Sequence, residues 1–366
     1  AQVVDVWGDV PFAEALKGTQ NTTPTLDDDQ AIYTELFKLI DEGIAEIKTE
    51  TSVISPGNNE TIYNGDRAKW EKFANSLKLR LYLKYSEKDP GFAKTQIDAL
   101  IASGVPFMAS NADNFEMRFV DATSSQNPIH QFEVSRANYT FPHKFLVDLM
   151  NTKGDPRRAF YFTDFPLGSG EFKGAAAGDA ESINYSRLHT FLRGPLKTAL
   201  VANAAGAVAS NTATNNAYTG AAPIRMFTFS EYNFIRAEHA LRFGGGQGEA
   251  QPFFEAGIRS SLIMAGVPEA QQSAYIAANG ALAGTPAQML EQIITEKYIA
   301  NYGVALEPWN DWRRTGYPGI VKVPAAIAAA DDIPRSLYYP ESETSSNTNF
   351  VQKPNMNVRV FWDTRQ

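Results

Sequence analysis

Cysteine is absent from the sequence, and histidine occurs only four times. Without thiols there is no disulfide framework, no thiolate metal site and no cysteine nucleophile. A chain of this size can do without such staples in any compartment. The histidines, His130, His143, His189 and His239, never stand three or four residues apart, so no helix carries a zinc-binding pair. His239, beside Glu238, reads as a partly buried helix residue. No apolar run reaches the roughly 18 residues that a membrane-spanning helix needs. No block of lysine and arginine exceeds a pair, and 33 basic against 41 acidic residues leave a net charge of −8. That balance argues against nucleic acid or an anionic membrane surface as a partner, since both demand a concentrated basic patch. The phosphate loop G-x-x-x-x-G-K-[ST] and the nucleophile elbow G-x-S-x-G are both missing. Gly168, Gly170 and Gly174 approach the dinucleotide fingerprint but miss its spacing. Asp27, Asp28 and Asp29 lack the spacing and glycine of an EF-hand loop and read as a helix cap. Nothing assigns a catalytic residue, a metal or a cofactor.

The 366 residues are 43% hydrophobic and 20% charged, the composition of an ordinary globular protein. A chain of this length can bury roughly 75% of its unfolded surface. Helical periodicity dominates the first hundred residues. After the caps at Asp27 to Asp29, Tyr33, Phe37, Ile40, Ile44 and Ile47 recur at helical spacing. Ile32, Leu36 and Leu39 flank them, so this helix is expected to be buried on more than one side. A loop from Glu50 to Gly65 leads to a second helix capped near Asp66. Trp70, Phe73, Leu77 and Leu81 form its stripe, and Lys78, Arg80 and Lys84 are expected on a wet face. Two such helices make an αα-hairpin, the unit of helical solenoids. A shorter helix is expected from Gly91 to Ile101.

A long irregular region then runs to about Pro223. It holds one helix, Pro142 to Met150, and an Ala-, Asn- and Thr-rich stretch, Ala199 to Asn216, read as loop or weak helix. Thr228 with Glu231 fits a capping box, and that helix should stop at Gly244-Gly245-Gly246. Helices at about Pro252 to Met264 and Glu269 to Asn279 follow. Thr285, Pro286 and Gln288 open the clearest helix. Leu290, Ile294, Tyr298 and Tyr302 step by four along it, and Gly303 ends it. From Tyr317 on the chain reads as irregular, with prolines at 318, 324, 334, 340 and 354. The fold class is therefore mainly α, helix pairs with long irregular loops and little β. No composition shift cuts the chain. It reads as one domain, with helical hairpins at 1–103, a loop-rich aromatic region at 104–223, a helical region at 224–303 and an irregular region at 304–366.

Two features carry the functional argument. Tyr139, Phe141, Phe160, Tyr161, Phe162, Phe165, Phe172, Tyr185 and Phe191 crowd the irregular middle. Loops on a rigid scaffold are where recognition residues lie, and flat rings stack on sugars or hold peptide side chains at little entropic cost. Tyr139, Phe141, Tyr161, Phe165, Phe172 and Tyr185 are the candidate ligand contacts; the competing role for each ring is to pin a loop. The second feature is Glu307 to Pro318, EPWNDWRRTGYP. Trp309 and Trp312 share a helix face, and Arg313 and Arg314 can pair with Glu307 and Asp311. A carboxylate pair for glycoside hydrolysis is the enzymatic reading of Glu307 and Asp311. The favoured reading is a structural lock of ion pairs and tryptophans.

Four segments resemble the SusD/RagB family of outer-membrane nutrient-binding lipoproteins of Bacteroidetes, in its SusD-like subgroup. They are Asp5 to Leu16 (DVWGDVPFAEAL), Lys69 to Ser86 (KWEKFANSLKLRLYLKYS), Ile293 to Pro318 (IITEKYIANYGVALEPWNDWRRTGYP) and Ile333 to Phe350 (IPRSLYYPESETSSNTNF). The resemblance spans nearly the whole chain. It implies tetratricopeptide-like helix pairs, a lipid anchor on an N-terminal cysteine and an outer-membrane, cell-surface location. It also implies a SusC-like TonB-dependent transporter as partner, oligosaccharide or peptide ligands, and no catalysis. Family members carry an N-terminal region ahead of the Gly8-Asp9-Val10-Pro11 turn, so residues are expected to precede Ala1. The family's ligand residues follow no fixed motif, so none is carried over. A glycoside-active enzyme and a helical scaffold that binds only proteins are the alternatives.

Overall fold

The computed structural model describes residues 1–49, 56–176, 183–209, 216–319 and 333–365. Along the chain, α1 (Gln2–Trp7), α2 (Asp29–Ile47), α3 (Arg67–Lys84) and α4 (Pro90–Ala102) precede strand β1 (Phe115–Met117). The short helices α5 (Pro128–Ser135), α6 (Lys144–Thr152), α7 (Arg158–Tyr161) and α8 (Thr190–Arg193) follow. After β2 (Ile224–Phe227) come α9 (Phe229–Phe243), α10 (Gln247–Ala265), α11 (Glu269–Asn279), α12 (Pro286–Ala300), α13 (Glu307–Thr315) and α14 (Glu341–Ser346). The fold is mainly α, as the helical periodicity requires. Among the described residues the sheet is two-stranded, β1 pairing antiparallel with β2 through Phe115↔Phe227, Glu116↔Arg225 and Met117↔Ile224.

The chain divides into two compact units. The first holds the described residues of Ala1–Ile54, Trp70–Phe107 and Leu306–Gln366. Asp28 caps α2, its Oδ1 accepting from Ala31 N at 2.8 Å. Burial along α2 is confined to its first turns, where Tyr33 packs on Phe361 at 4.9 Å between ring centroids. Leu39 is 51% exposed, so the helix is not buried on more than one side. Within its wide apolar stripe, Leu36, Phe37 and Ile40 are only partly covered.

On α3 the expected wet face is buried. Lys78, Arg80 and Lys84 are 8%, 7% and 4% exposed. Each cation has an acid to meet: Lys78 lies 2.6 Å from Asp41, Lys84 lies 3.4 Å from Asp5 and 3.2 Å from Glu307, and Arg80 lies 3.8 Å from Glu307. Charges can leave water when partners replace it, and a period count cannot see such partners.

Helix α13 is the EPWNDWRR segment, and it is a lock. Glu307, Asp311, Arg313 and Arg314 are all buried. The Arg313 guanidinium sits 3.6 Å from the Trp309 ring centroid and 4.6 Å from that of Trp362. It donates to Arg335 O at 2.5 Å and to Asp5 O at 2.6 Å. Arg314 pairs with Asp311 at 3.0 Å and donates to Ser86 Oγ at 2.9 Å. Asp5 in turn accepts from Tyr33 OH and from Trp362 Nε1. The two carboxylates that could have formed a hydrolytic pair are thus spent on buried cations. The C-terminal segment, expected to be irregular, includes α14; Pro324 lies outside the described residues.

The second unit holds the described residues of Ser55–Lys69 and Met108–Ala305. Its core is a helical stack. The αα-hairpin of α9 and α10 packs closely because Gly257 leaves room for Phe234; a Cβ there would come within 2.8 Å of the ring. Thr228 caps α9 by accepting from Glu231 N at 3.1 Å. The reciprocal half of that expected box does not form, since the Glu231 carboxylate faces Lys297 at 3.8 Å. Thr285 and Gln288 do form both halves of theirs. A buried polar knot, Asp155–Arg157–Glu296, ties α7 to α12, with contacts of 2.5 and 2.9 Å. The aromatic middle is more regular than its sequence suggests. The helix expected at Pro142 to Met150 starts at Lys144, and α5, α7 and α8 join it. Within Ala199 to Asn216, residues 210–215 lie outside the described residues; the described part holds an Ala202↔Val208 bridge and no helix.

Candidate functional site

The loop between α5 and α6 is anchored at both ends. Asn127, fully buried, caps α5 by accepting from Ile129 N at 2.8 Å while donating to Ala222 O at 2.8 Å. His143 caps α6 through Nδ1, which accepts from Phe145 N at 3.2 Å. Lys144 N and Ala175 N exchange hydrogen bonds with Ala175 O and Pro142 O. The intervening loop therefore has a fixed path, and it brings Thr140 and Phe141 to the wall of a cleft of about 550 Å³, with Tyr139 next to them in the chain. The volume is in the range of small-ligand sites, roughly 300–1,000 Å³.

Rings line this cleft. Phe132, Phe141, Tyr298 and Tyr302 form its walls, with Thr140 and His143 as its polar groups. Tyr139, 71% exposed, stands over Phe132, 42% exposed, with centroids 6.3 Å apart in an edge-to-face contact. The apolar surface of these two rings faces water, which is costly unless something is meant to cover it. Phe141 is braced from behind. The Arg187 guanidinium lies 4.3 Å from its centroid, and Tyr185 meets its edge at 5.7 Å. Arg187 is held in turn by the Asn138 side chain and by Ile183 O. Burial pushes the Arg187 guanidinium down to about 10, against the pull of Glu133. Burial also pushes the Glu133 carboxyl up, while Arg193 opposes that shift. The Tyr302 phenol is raised by burial and stays protonated.

The candidate contacts separate in space. Phe141 lines the cleft, and Tyr139 reaches it only through its contact with the lining residue Phe132. Tyr185, 5% exposed, supports Phe141 rather than facing solvent. Tyr161 has no exposed surface; it stacks on Tyr302 at 4.7 Å and belongs to the core. Phe165 lies under Lys173, whose Nζ is 5.2 Å from its centroid. Phe172 lines a separate cavity. Phe132, Thr140, His143 and Tyr298 are cleft residues that the sequence reading did not select. The four-residue step through Tyr298 and Tyr302 was a signal for them, because a tyrosine face is suited to meeting water as well as core.

Elsewhere, His130 and His239 are buried. Among the described residues, the one group with metal-ligand proximity is Asp9, Asp28 and Asp29, whose carboxylate oxygens lie within 4.8 Å of one another. Asp28 is the helix cap, Asp27 accepts from Phe12 N and Ala13 N, and Asp29 accepts from Phe361 N. No helix of the described residues is long and apolar enough to cross a membrane.

Comparison with known proteins gives a consistent answer. Residues 1–340 match the SusD-like family described as starch-binding and associating with the outer membrane. No curated protein matches the sequence. Among solved structures, a SusD homologue of Bacteroides uniformis aligns at 24% identity with a TM-score of 0.77, covering 100% of this chain and 78% of its own. A chitin-binding SusD homologue of Flavobacterium johnsoniae aligns at 24% identity and a TM-score of 0.78 over the same shares. A further chitin-binding protein is similar at 26% identity and a TM-score of 0.79, again over 100% of this chain and 78% of that one. With its lock helix, its helix pairs and a family match over most of its length, this chain belongs to the SusD-like family.

Proposed function

We propose that this protein captures oligosaccharides in the cleft lined by Phe132 and Phe141 and passes them to a SusC-like TonB-dependent transporter, while a lipid anchor ahead of Ala1 holds it on the cell surface. The carrying observation is the exposed ring pair of Phe132 on α5 and Tyr139 on the anchored loop, with Phe132 and the half-buried Phe141 lining a 550 Å³ cleft. Stacked rings suit the apolar faces of sugars, and Thr140 and His143 supply hydrogen-bonding groups beside them. The chitin-binding proteins of similar structure make N-acetylglucosamine oligomers a first ligand to try. The family description adds starch oligomers.

Calorimetric titration with chitin and starch oligosaccharides, and with peptides as the contrasting class, tests this reading. Binding of a glycan is expected. Phe132→Ala and Tyr139→Ala should each weaken it about ten-fold, or about 1.4 kcal/mol, with folding unchanged because both rings are substantially exposed. Heat with peptides alone, or wild-type affinity in both variants, would sink the glycan assignment. Delivery is tested separately: a large β-barrel should copurify with the full-length protein from membranes.

A further inference from the structure

The second unit contains another cavity, of about 440 Å³, that shares no lining residue with the aromatic cleft. Leu188 and Leu192 line the cleft, whereas His189 lines this cavity. Its walls are mostly apolar, with Phe162, Leu167, Phe172, Leu196 and Leu200. Two polar groups stand out against that background.

The first is Asp164. Its Oδ2 accepts from Gly168 N at 2.7 Å and from Gly170 N at 2.9 Å. Both glycines have positive φ, 90° and 74°, which lets the loop curl around the carboxylate. The glycine pattern that nearly matched a nucleotide fingerprint therefore cradles an internal acid, and a phosphate has no place there. Oδ1 accepts no hydrogen bond from the described residues and remains an acceptor.

The second is His189. Its Nδ1 lies 2.7 Å from Tyr218 OH. Burial, with Arg193 adding to it, pushes the imidazole down to about 4, so the ring is neutral at ordinary pH. Burial keeps the Tyr218 phenol protonated. The neutral ring carries one proton, which sits on Nε2 when the phenol donates to Nδ1; in either tautomer Nε2 is the nitrogen that Tyr218 does not engage.

One fixed acceptor and one neutral imidazole nitrogen over an aromatic and aliphatic floor suit a molecule whose edge hydroxyls both donate and accept and whose face carries C–H groups. Asp164 disfavours an anion, and Arg158, 5.3 Å from the Phe172 centroid, and Lys173, over Phe165, place positive charge near the cavity that offsets the pull of the carboxylate on a cation. We propose that this cavity is a second binding site, for a single neutral sugar residue, with Asp164 accepting from its hydroxyls, His189 Nε2 hydrogen-bonded to one, and Phe172 against its apolar face. The site is independent of the cleft, and only the choice of probe leans on the glycan reading.

Leucine methyl NMR separates the two sites, because Leu167, Leu196 and Leu200 report on this cavity while Leu146, Leu188 and Leu192 report on the cleft. The full chain is titrated with glucose and with N-acetylglucosamine. Saturable shifts at Leu167, Leu196 and Leu200 are expected with one of these sugars. Asp164→Asn should weaken that response about ten-fold. Ala159→Trp, which plugs the cavity from an exposed lining position, should abolish it while leaving the cleft leucines responsive to oligosaccharide. Shifts confined to the cleft leucines would overturn the second site and leave the glycan reading standing. Silence at both sets would overturn the second site, and calorimetry with oligosaccharides would then judge the cleft by itself. Shifts at Leu167, Leu196 and Leu200 that survive Ala159→Trp unchanged would also overturn it.

Discussion

Arg313 has no exposed surface, and its guanidinium is gripped by two tryptophan rings and two backbone carbonyls. Lysine cannot reproduce that planar fork. Arg313→Lys should destabilise the protein by roughly 3 kcal/mol, since it strands buried acceptors; chemical denaturation measures this, and a loss within experimental error would refute the lock. Asp29 poses a different problem. Burial, followed by its neighbours Asp9 and Asp28, raises its carboxyl from 3.8 to about 6, despite the hydrogen bond from Phe361 N. The folded state therefore holds this proton more tightly than the unfolded chain does. The ionised group costs stability above about pH 6, and that cost shrinks as pH falls through 6 toward 3.8. Asp29→Asn keeps an acceptor for Phe361 and removes the charge. The wild type should gain stability relative to this variant between pH 7 and pH 5, as thermal unfolding at both values would show; parallel curves would count against it. Neither role was readable from residue type. Arg313 was legible as part of a lock only because acids and tryptophans lay near it in sequence, whereas the environment of Asp29 depends on Phe361, far along the chain.

Elements were legible where their signals are local. The caps at Asp28 and Thr285 rest on atoms three residues away, so sequence spacing captures them. The wet face of α3 was misread because its acids come from Asp5, Asp41 and Glu307, on three other stretches of chain. The short helices α5, α7 and α8 were missed for a related reason. At four to eight residues they are too short to show a period, and propensity alone does not sustain them. Their stability comes from packing. The same dependence governs the α9–α10 hairpin, where Gly257 admits Phe234. Gly257→Ala should cost about 1–3 kcal/mol despite alanine's better helix propensity, because overpacking outweighs a gain of at most about 1 kcal/mol. A stabilised variant in denaturant titration would show that the contact can relax.

At the scale of the whole chain, both cavities belong to the unit built on 108–305, and the lock belongs to the other. Ligand at about 100 times its Kd stabilises the state that binds it by about 2.7 kcal/mol. Hydrogen exchange with a saturating oligosaccharide should therefore slow in α5, the 136–143 loop and α12, with α1, α2 and α13 unchanged; protection centred on the lock helix would place the ligand elsewhere. The sequence alone determined the helical class, the well-capped helices and the kinship carried by EPWNDWRRTGYP, since each rests on periodicity or neighbours within a few turns. It also marked the aromatic middle as the region of interest. Only the tertiary structure decided which rings face water. Tyr139 and Tyr161 are the same residue type in the same stretch, yet one is 71% exposed and the other fully buried. Exposure depends on what distant segments bring to each ring, and Tyr302, which covers Tyr161, arrives from the end of the clearest helix in the chain.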